Sequence, residues 1–258
     1  MTQPAVPDHA AQARLAALRE HLGRRILVLE GATGTYLQSQ DLYPDAFGGI
    51  QYEGCNEHLN LTSPHIVSEM HRGYLAAGAD VCKTNSFGGT PLVLAEYGLA
   101  GSAHDINRRA AELARQEADA AATPERPRWV AGSMGPTTRA ISVTGGVTFD
   151  ELERNFHDQA AGLVAGGVDY LLVETCQDTR NVKAALLGIR RLAEEQRRAI
   201  PVAVSCTIEP TGTMLAGQGV EAFYTSIAHF DLLYVGLNCA TGPAFSRDAG
   251  ERLTPGTR

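Results

Sequence analysis

Apolar residues recur along this chain in two alternating rhythms. Leu15, Leu18 and Leu22 stand at helical spacing and stop at Gly23, where a left-handed cap is expected, and the apolar run Ile26-Leu27-Val28-Leu29 follows at once. The unit then returns. Ser63-Pro64 offers an N-cap and a proline at the first helical position, Ile66, Val67, Met70, Tyr74 and Leu75 form a stripe, Gly78 closes it, and residues 79–84 read as a strand. A helix over 105–121 precedes a strand over 129–133. Thr148-Phe149-Asp150-Glu151 is a capping box opening a helix that runs to Gly166-Gly167, ahead of a strand over 170–174. Helices over 179–196 and 220–230 precede strands over 202–206 and 233–238.

Short apolar strands alternating with amphipathic helices are the pattern of a parallel sheet, but periodicity alone fits an open doubly wound sheet as well as a barrel. Polar or reactive residues end every strand: Glu30, Thr84-Asn85, Ser133, Glu174, Cys206 and Asn238-Cys239. A barrel gathers such ends around one mouth. The expected fold is therefore α/β, a TIM-type (β/α)₈ barrel of which about six of the eight units are present. Residues 1–24 read as a polar tail with a lead-in helix, 25–245 as the incomplete barrel and 246–258 as a tail of different character. The long connection over 38–62, rich in tyrosine and glycine, is expected to fold near the mouth.

Composition narrows the partners. The length of 258 residues suits one large domain. The net charge of −7 is spread in both signs with no basic block, so neither nucleic acid nor a membrane surface is an expected partner. The chain lacks a secretory leader pattern and any apolar run long enough to span a bilayer, which points to the cytoplasm. Five scattered cysteines, an odd number, read as thiols or metal ligands rather than a secreted disulfide framework.

The runs Ile26 to Thr35, Gly78-Ala79-Asp80 with Thr84-Asn85-Ser86-Phe87, Gly132 to Pro136, Val173-Glu174-Thr175 and Gly236-Leu237-Asn238-Cys239 together resemble the homocysteine S-methyltransferase family. Residues 213–218, 221–224 and 236–243 look most like the N-terminal module of the cobalamin-dependent methionine synthases. The resemblance covers about residues 16–245 in consistent order. It implies a zinc-containing barrel that binds homocysteine and passes a methyl group to its sulfur, with methylcobalamin as donor on a separate domain or chain and a folate-binding domain beyond it. A stand-alone relative using another donor, such as S-methylmethionine, is the enzymatic alternative. A catalytically inactive remnant or assembly module is the non-enzymatic one.

Residue by residue, the resemblance makes Cys239 the first zinc ligand and sets Glu174 against the substrate ammonium. Glu30 stands where the family usually has aspartate, and the backbone amides of Gly31 and Ala32 after it are able to receive the substrate carboxylate, a role compatible with a tight turn there. Thr84, Asn85 and Asn238 either orient substrate or fix loops. No side chain is assigned as catalytic. The family's other two zinc ligands are an adjacent cysteine pair, which this sequence lacks. Two further units would need about 60 residues, so the zinc site is expected to be incomplete and the chain truncated. Cys176 and Cys206, near neighbouring strand ends, could instead join Cys239 in a substitute three-thiol site. Cys55 and Cys82 read as loop and core thiols.

Overall fold

The computed structural model describes residues 9–242 together with Ser246, Arg247 and Gly250. Its centre is a parallel sheet of β1 (Val81–Lys83), β2 (Trp129–Met134), β3 (Tyr170–Cys176), β4 (Val202–Cys206) and β5 (Val235–Leu237), hydrogen-bonded in chain order. The segment ending at Leu29 extends the sheet as a single parallel bridge to Val81. The expected strand over 26–29 shortens to that bridge because the Val28 amide is taken by the Asp80 carboxylate, at 3.0 Å, rather than by a ladder partner.

Parallel strands require crossovers, and helices supply them. Ahead of β1 lie α1 (His9–Leu22), the short α2 (Thr33–Gln38) and α3 (Leu59–Thr62), and α4 (Pro64–Ala77). After it come the short α5 (Pro91–Leu94), then α6 (Ala103–Ala121), α7 (Phe149–Ala165), α8 (Thr179–Gln196) and α9 (Val220–Ile227). From α4 through α6, α7 and α8 to α9, each long crossover helix packs against the next in chain order, so they form one layer on one face of the sheet. A sheet covered on one face curls around the other, which becomes a barrel interior.

The strands alternate to match. Cys82, Val130, Leu171, Val173 and Val204 face the helices, while Val81, Trp129, Ala131, Tyr170, Leu172 and Ala203 form a separate inner cluster. Leu18 of α1 joins that inner cluster. Trp129 donates its indole N–H to the Arg14 carbonyl at 3.0 Å, and Arg14 pairs with Asp169 at 2.7 Å. The lead-in helix therefore closes the end of the barrel where the strands begin.

Local signals set most boundaries. Gly78 ends α4 at φ 116°, a conformation only glycine adopts without strain, and Thr148 with Glu151 forms the expected capping box on α7. Two signals act differently. Gly23 does not take the left-handed conformation; its amide donates to the Arg19 carbonyl at 3.2 Å, a continuation of the helix. Ser63 precedes a first-position proline as expected, yet its hydroxyl donates to the Ala46 carbonyl (2.8 Å) instead of capping α4. The connection over 38–62 is folded, with 3₁₀ turns at Pro44–Phe47, Ile50–Tyr52 and Asn56–His58 and a cluster of Leu37, Phe47, Leu59, Val67 and Met70. The expected tail over 246–258 lies almost wholly outside the described residues. No helix among the described residues is long and apolar enough to cross a membrane.

Candidate functional site

The period of two that puts Trp129 and Ala131 inside the barrel carries Ser133 to its upper rim, and the same step carries Tyr170 and Leu172 to Glu174, Val81 to Lys83 and Ala203 to Ser205. Apolar residues thus fill the lower layer and polar ones the layer above it. Together they open into a cavity of about 560 Å³ lined by all the residues that the resemblance or the strand-end pattern set around substrate and zinc, Glu30, Gly31, Ala32, Thr84, Asn85, Glu174, Asn238 and Cys239, but not by Cys176 or Cys206.

Glu174 is the anionic centre of this mouth. It is buried, receives the Lys83 ammonium at 3.2 Å on one carboxylate oxygen, and accepts the Ser133 hydroxyl on the other. The Lys83 side chain is 18 % exposed, so the pair borders the cavity rather than dissolving in solvent. Burial raises the attraction of such a pair and also its desolvation cost, so a ligand bearing both charges can exchange into it.

Asn238 fixes the opposite rim. Its Oδ1 accepts from the Thr175 amide (3.1 Å) and the Ser205 hydroxyl (2.9 Å), while its Nδ2 donates to Thr175 Oγ1 (2.8 Å) and lies 3.3 Å from Cys239 Sγ. Thr175, Cys239 and Ala240 have φ of 60°, 61° and 50°, left-handed values that cost a non-glycine residue energy and persist where surrounding contacts enforce them. Cys239 alone among the cysteines is exposed.

Thr84 and Asn85 line the cavity and also tie neighbouring segments together. Thr84 Oγ1 accepts the Ser133 amide at 2.9 Å, and the Asn85 side chain donates to the Asn56 carbonyl (2.7 Å) and to Asn60 Oδ1 (3.2 Å). Glu30 lines the cavity, but its side chain is fully buried and turned beneath α4, with Oε2 at 3.0 Å from His71 Nδ1. Gly31 is there for space: a Cβ would lie 2.5 Å from the Tyr74 ring.

Sequence reading missed Lys83, Glu57 and Tyr234 at this cavity. A lysine at a strand end reads as a solvated cation, and its partner is 91 positions away. Glu57 sits in the folded connection, where its carboxylate takes the Gly88 amide at 2.6 Å; burial pushes its pKa up. Tyr234 meets the Tyr170 hydroxyl at 3.0 Å, and burial raises it to about 12.

The substitute three-thiol site does not form. Cys176 and Cys206 are register partners on β3 and β4, both packed in the helix-facing cluster rather than at the mouth. Burial pushes Cys176 up and takes Cys206 to about 12, so both are inert thiols at neutral pH. Cys55 is likewise a buried loop thiol raised to about 11 by burial. The family's zinc centre needs three protein thiolates, and among the described residues the mouth supplies only Cys239. This donor set does not fit that centre.

A family model described as homocysteine S-methyltransferase matches residues 27–257. The methionine synthases of Mycobacterium tuberculosis (strain ATCC 25618 / H37Rv) and Mycobacterium leprae (strain TN) are 42 % and 43 % identical over 227 residues, 88 % of this chain and 19 % of each relative. The chain thus spans about a fifth of the length of these relatives. Among solved structures, the metallated homocysteine methyltransferase MmuM from Escherichia coli aligns with TM-score 0.75 at 22 % identity, covering 93 % of this chain and 82 % of that one. Its apo form aligns with TM-score 0.70 at 22 % identity, covering 92 % and 80 %. These structures carry the fold: an α/β barrel.

Proposed function

We propose, because this chain belongs to the homocysteine S-methyltransferase family, that it is a homocysteine-binding module of methionine synthesis whose mouth grips the amino-acid end of the substrate. The Lys83–Glu174 pair is the observation that carries this reading. Homocysteine bears an ammonium and a carboxylate on one carbon. Inserted between the two side chains, it gives its ammonium to Glu174, steadied by Ser133, and its carboxylate to Lys83 and the Gly31 and Ala32 amides. The protein's own ion pair is exchanged for two of the same sign pattern, so neither buried charge is left alone.

The sulfur end is then left for the Asn238–Cys239 rim, where methyl transfer takes place in the complete enzyme. Asn238 is a positioning residue here, since its contacts hold Thr175 and Cys239 in their left-handed conformations. The methyl donor is assigned to other modules of a longer assembly, a methylcobalamin-bearing domain and a folate-binding domain. The likeness to methionine synthases supports that assignment, and the cytoplasm is the compartment we assign to it.

The single mouth sulfur favours a second reading, in which this chain binds homocysteine without turning it over. One experiment addresses both. Calorimetric titration with L-homocysteine under reducing conditions should show binding, weakened about tenfold or more, some 1.4 kcal/mol, by Glu174→Gln and by Lys83→Met. Absence of binding, or a Glu174→Gln variant that binds like the parent, defeats the amino-acid clamp. Adding a methylated corrinoid separates the readings: methionine formation supports the enzyme, binding alone the silent module.

A further inference from the structure

We propose that Glu30, His71 and Cys82 form a second, buried site for a zinc-class divalent cation between the sheet and the helix layer. These three residues are the one group among the described residues whose carboxylate, imidazole and thiol ligand atoms all lie within 4.8 Å of one another, and all three residues are buried. Each arrives from a different element. Glu30 follows the bridge at Leu29, His71 lies on the sheet-facing side of α4, and Cys82 points outward from β1.

Hydrogen bonding alone leaves this cluster incompletely satisfied. His71 Nδ1 lies 3.0 Å from Glu30 Oε2, but Glu30 Oε1 and His71 Nε2 have no hydrogen-bond partner although both side chains are fully buried. An orphaned carboxylate oxygen in an apolar layer carries a desolvation cost, which a cation removes.

The chemistry of the donors selects the ion. Mixed sulfur, nitrogen and oxygen ligands suit a borderline cation such as Zn²⁺ far better than Mg²⁺ or Ca²⁺. Two donors about 2.0–2.2 Å from a tetrahedral zinc stand roughly 3.3–3.6 Å apart, so the His71–Glu30 contact at 3.0 Å needs to open by only a few tenths of an ångström to admit the ion. A thiolate, a carboxylate and a neutral imidazole together offset the charge of a divalent ion. Burial, then the charge and hydrogen bond of Glu30, push the Cys82 thiol up, so it is a thiol until an entering cation displaces its proton; Arg115 and Arg128 oppose that shift, though each is turned to another carboxylate, Arg115 to Asp169 at 2.7 Å and Arg128 to Asp80 at 3.2 Å. Glu30 borders the open mouth, which gives the ion a way in.

Such an ion would staple three elements where the sheet is held by a single bridge, and would fix the turn that carries Gly31 and Ala32. The test uses the full chain carrying Cys239→Ala, which removes the exposed thiol from competition. After chelator treatment and reloading, equilibrium dialysis should find one Zn²⁺ per chain. Co²⁺ should give a thiolate-to-metal charge-transfer band, and Zn²⁺ should raise the thermal midpoint. Cys82→Ser should abolish the cobalt band, and His71→Gln should weaken zinc binding at least tenfold, each with the circular dichroism of the parent. Failure of the Cys239→Ala chain to bind either ion, or binding that survives both Cys82→Ser and His71→Gln, overturns the site. Homocysteine binding is read in a separate titration, so failure of the cation site and failure of the clamp are distinguishable.

Discussion

Four nitrogens from three groups converge on the Asp80 carboxylate. Arg25 approaches it with two nitrogens at 2.8 and 3.0 Å, the Val28 amide at 3.0 Å and Arg128 at 3.2 Å. Burial pushes the Asp80 pKa up, but Arg25, the Val28 amide and Arg126 outweigh it and hold the group below the ordinary carboxylate range. A depressed carboxylate adds stability that is fully present above about pH 3.9 and is lost as pH falls through its folded value. Asp80→Asn should therefore lower unfolding stability by about 2 kcal/mol at pH 7, with the gap to the parent closing in strong acid. Urea titrations at several pH values measure this, and equal stabilities at pH 7 would show the cluster to be idle. At this scale the sequence disclosed residues that end apolar runs, such as Glu174 and Cys239, because position along a strand is written locally. Lys83 and His71 escaped, since what makes each of them significant is a partner brought by another element.

Helices α7 and α8 touch through a glycine. A Cβ at Gly188 would lie 2.5 Å from the Glu153 carbonyl and 3.0 Å from the His157 amide, both backbone atoms of α7. Alanine is the better helix former by about 1 kcal/mol, whereas forcing two packed helices apart costs about 1–3 kcal/mol. Gly188→Ala should thus destabilise the protein by about 1 kcal/mol or somewhat more, seen as a lower thermal midpoint, while a rise would mean that the helices separate freely. Nothing in the one-dimensional pattern warns of this, because Gly188 sits unremarked in a strong helical stripe. Element type was nonetheless legible: the helix over 179–196 and the strand over 202–206 match α8 and β4 end to end. The strand end misjudged at Val28 lies where a tertiary contact competes, its amide preferring Asp80; at Ser63 the helix boundary held and only the side-chain cap was lost, the hydroxyl preferring Ala46.

Over the whole molecule, α1 is the piece whose place could not be read from its own residues. Its stripe announces a helix, but only the fold shows that Leu18 enters the inner cluster beside Trp129 and Tyr170. Leu18→Ala should cost about 3 kcal/mol, as expected for a fully buried leucine, and chemical denaturation would measure it; a change below about 1 kcal/mol would mean that α1 merely rests on the barrel. The barrel itself was legible through the polar residues gathered at strand ends, a feature that an open sheet has no reason to repeat at every strand. The sheet's strand order, identical to chain order, has a consequence for how the protein is made. Each new strand, on leaving the ribosome, finds its partner already laid down and has roughly one helix of chain to close before pairing. The growing face thus advances one strand at a time, and its opportunity to pair wrongly is confined to whichever strand was delivered last.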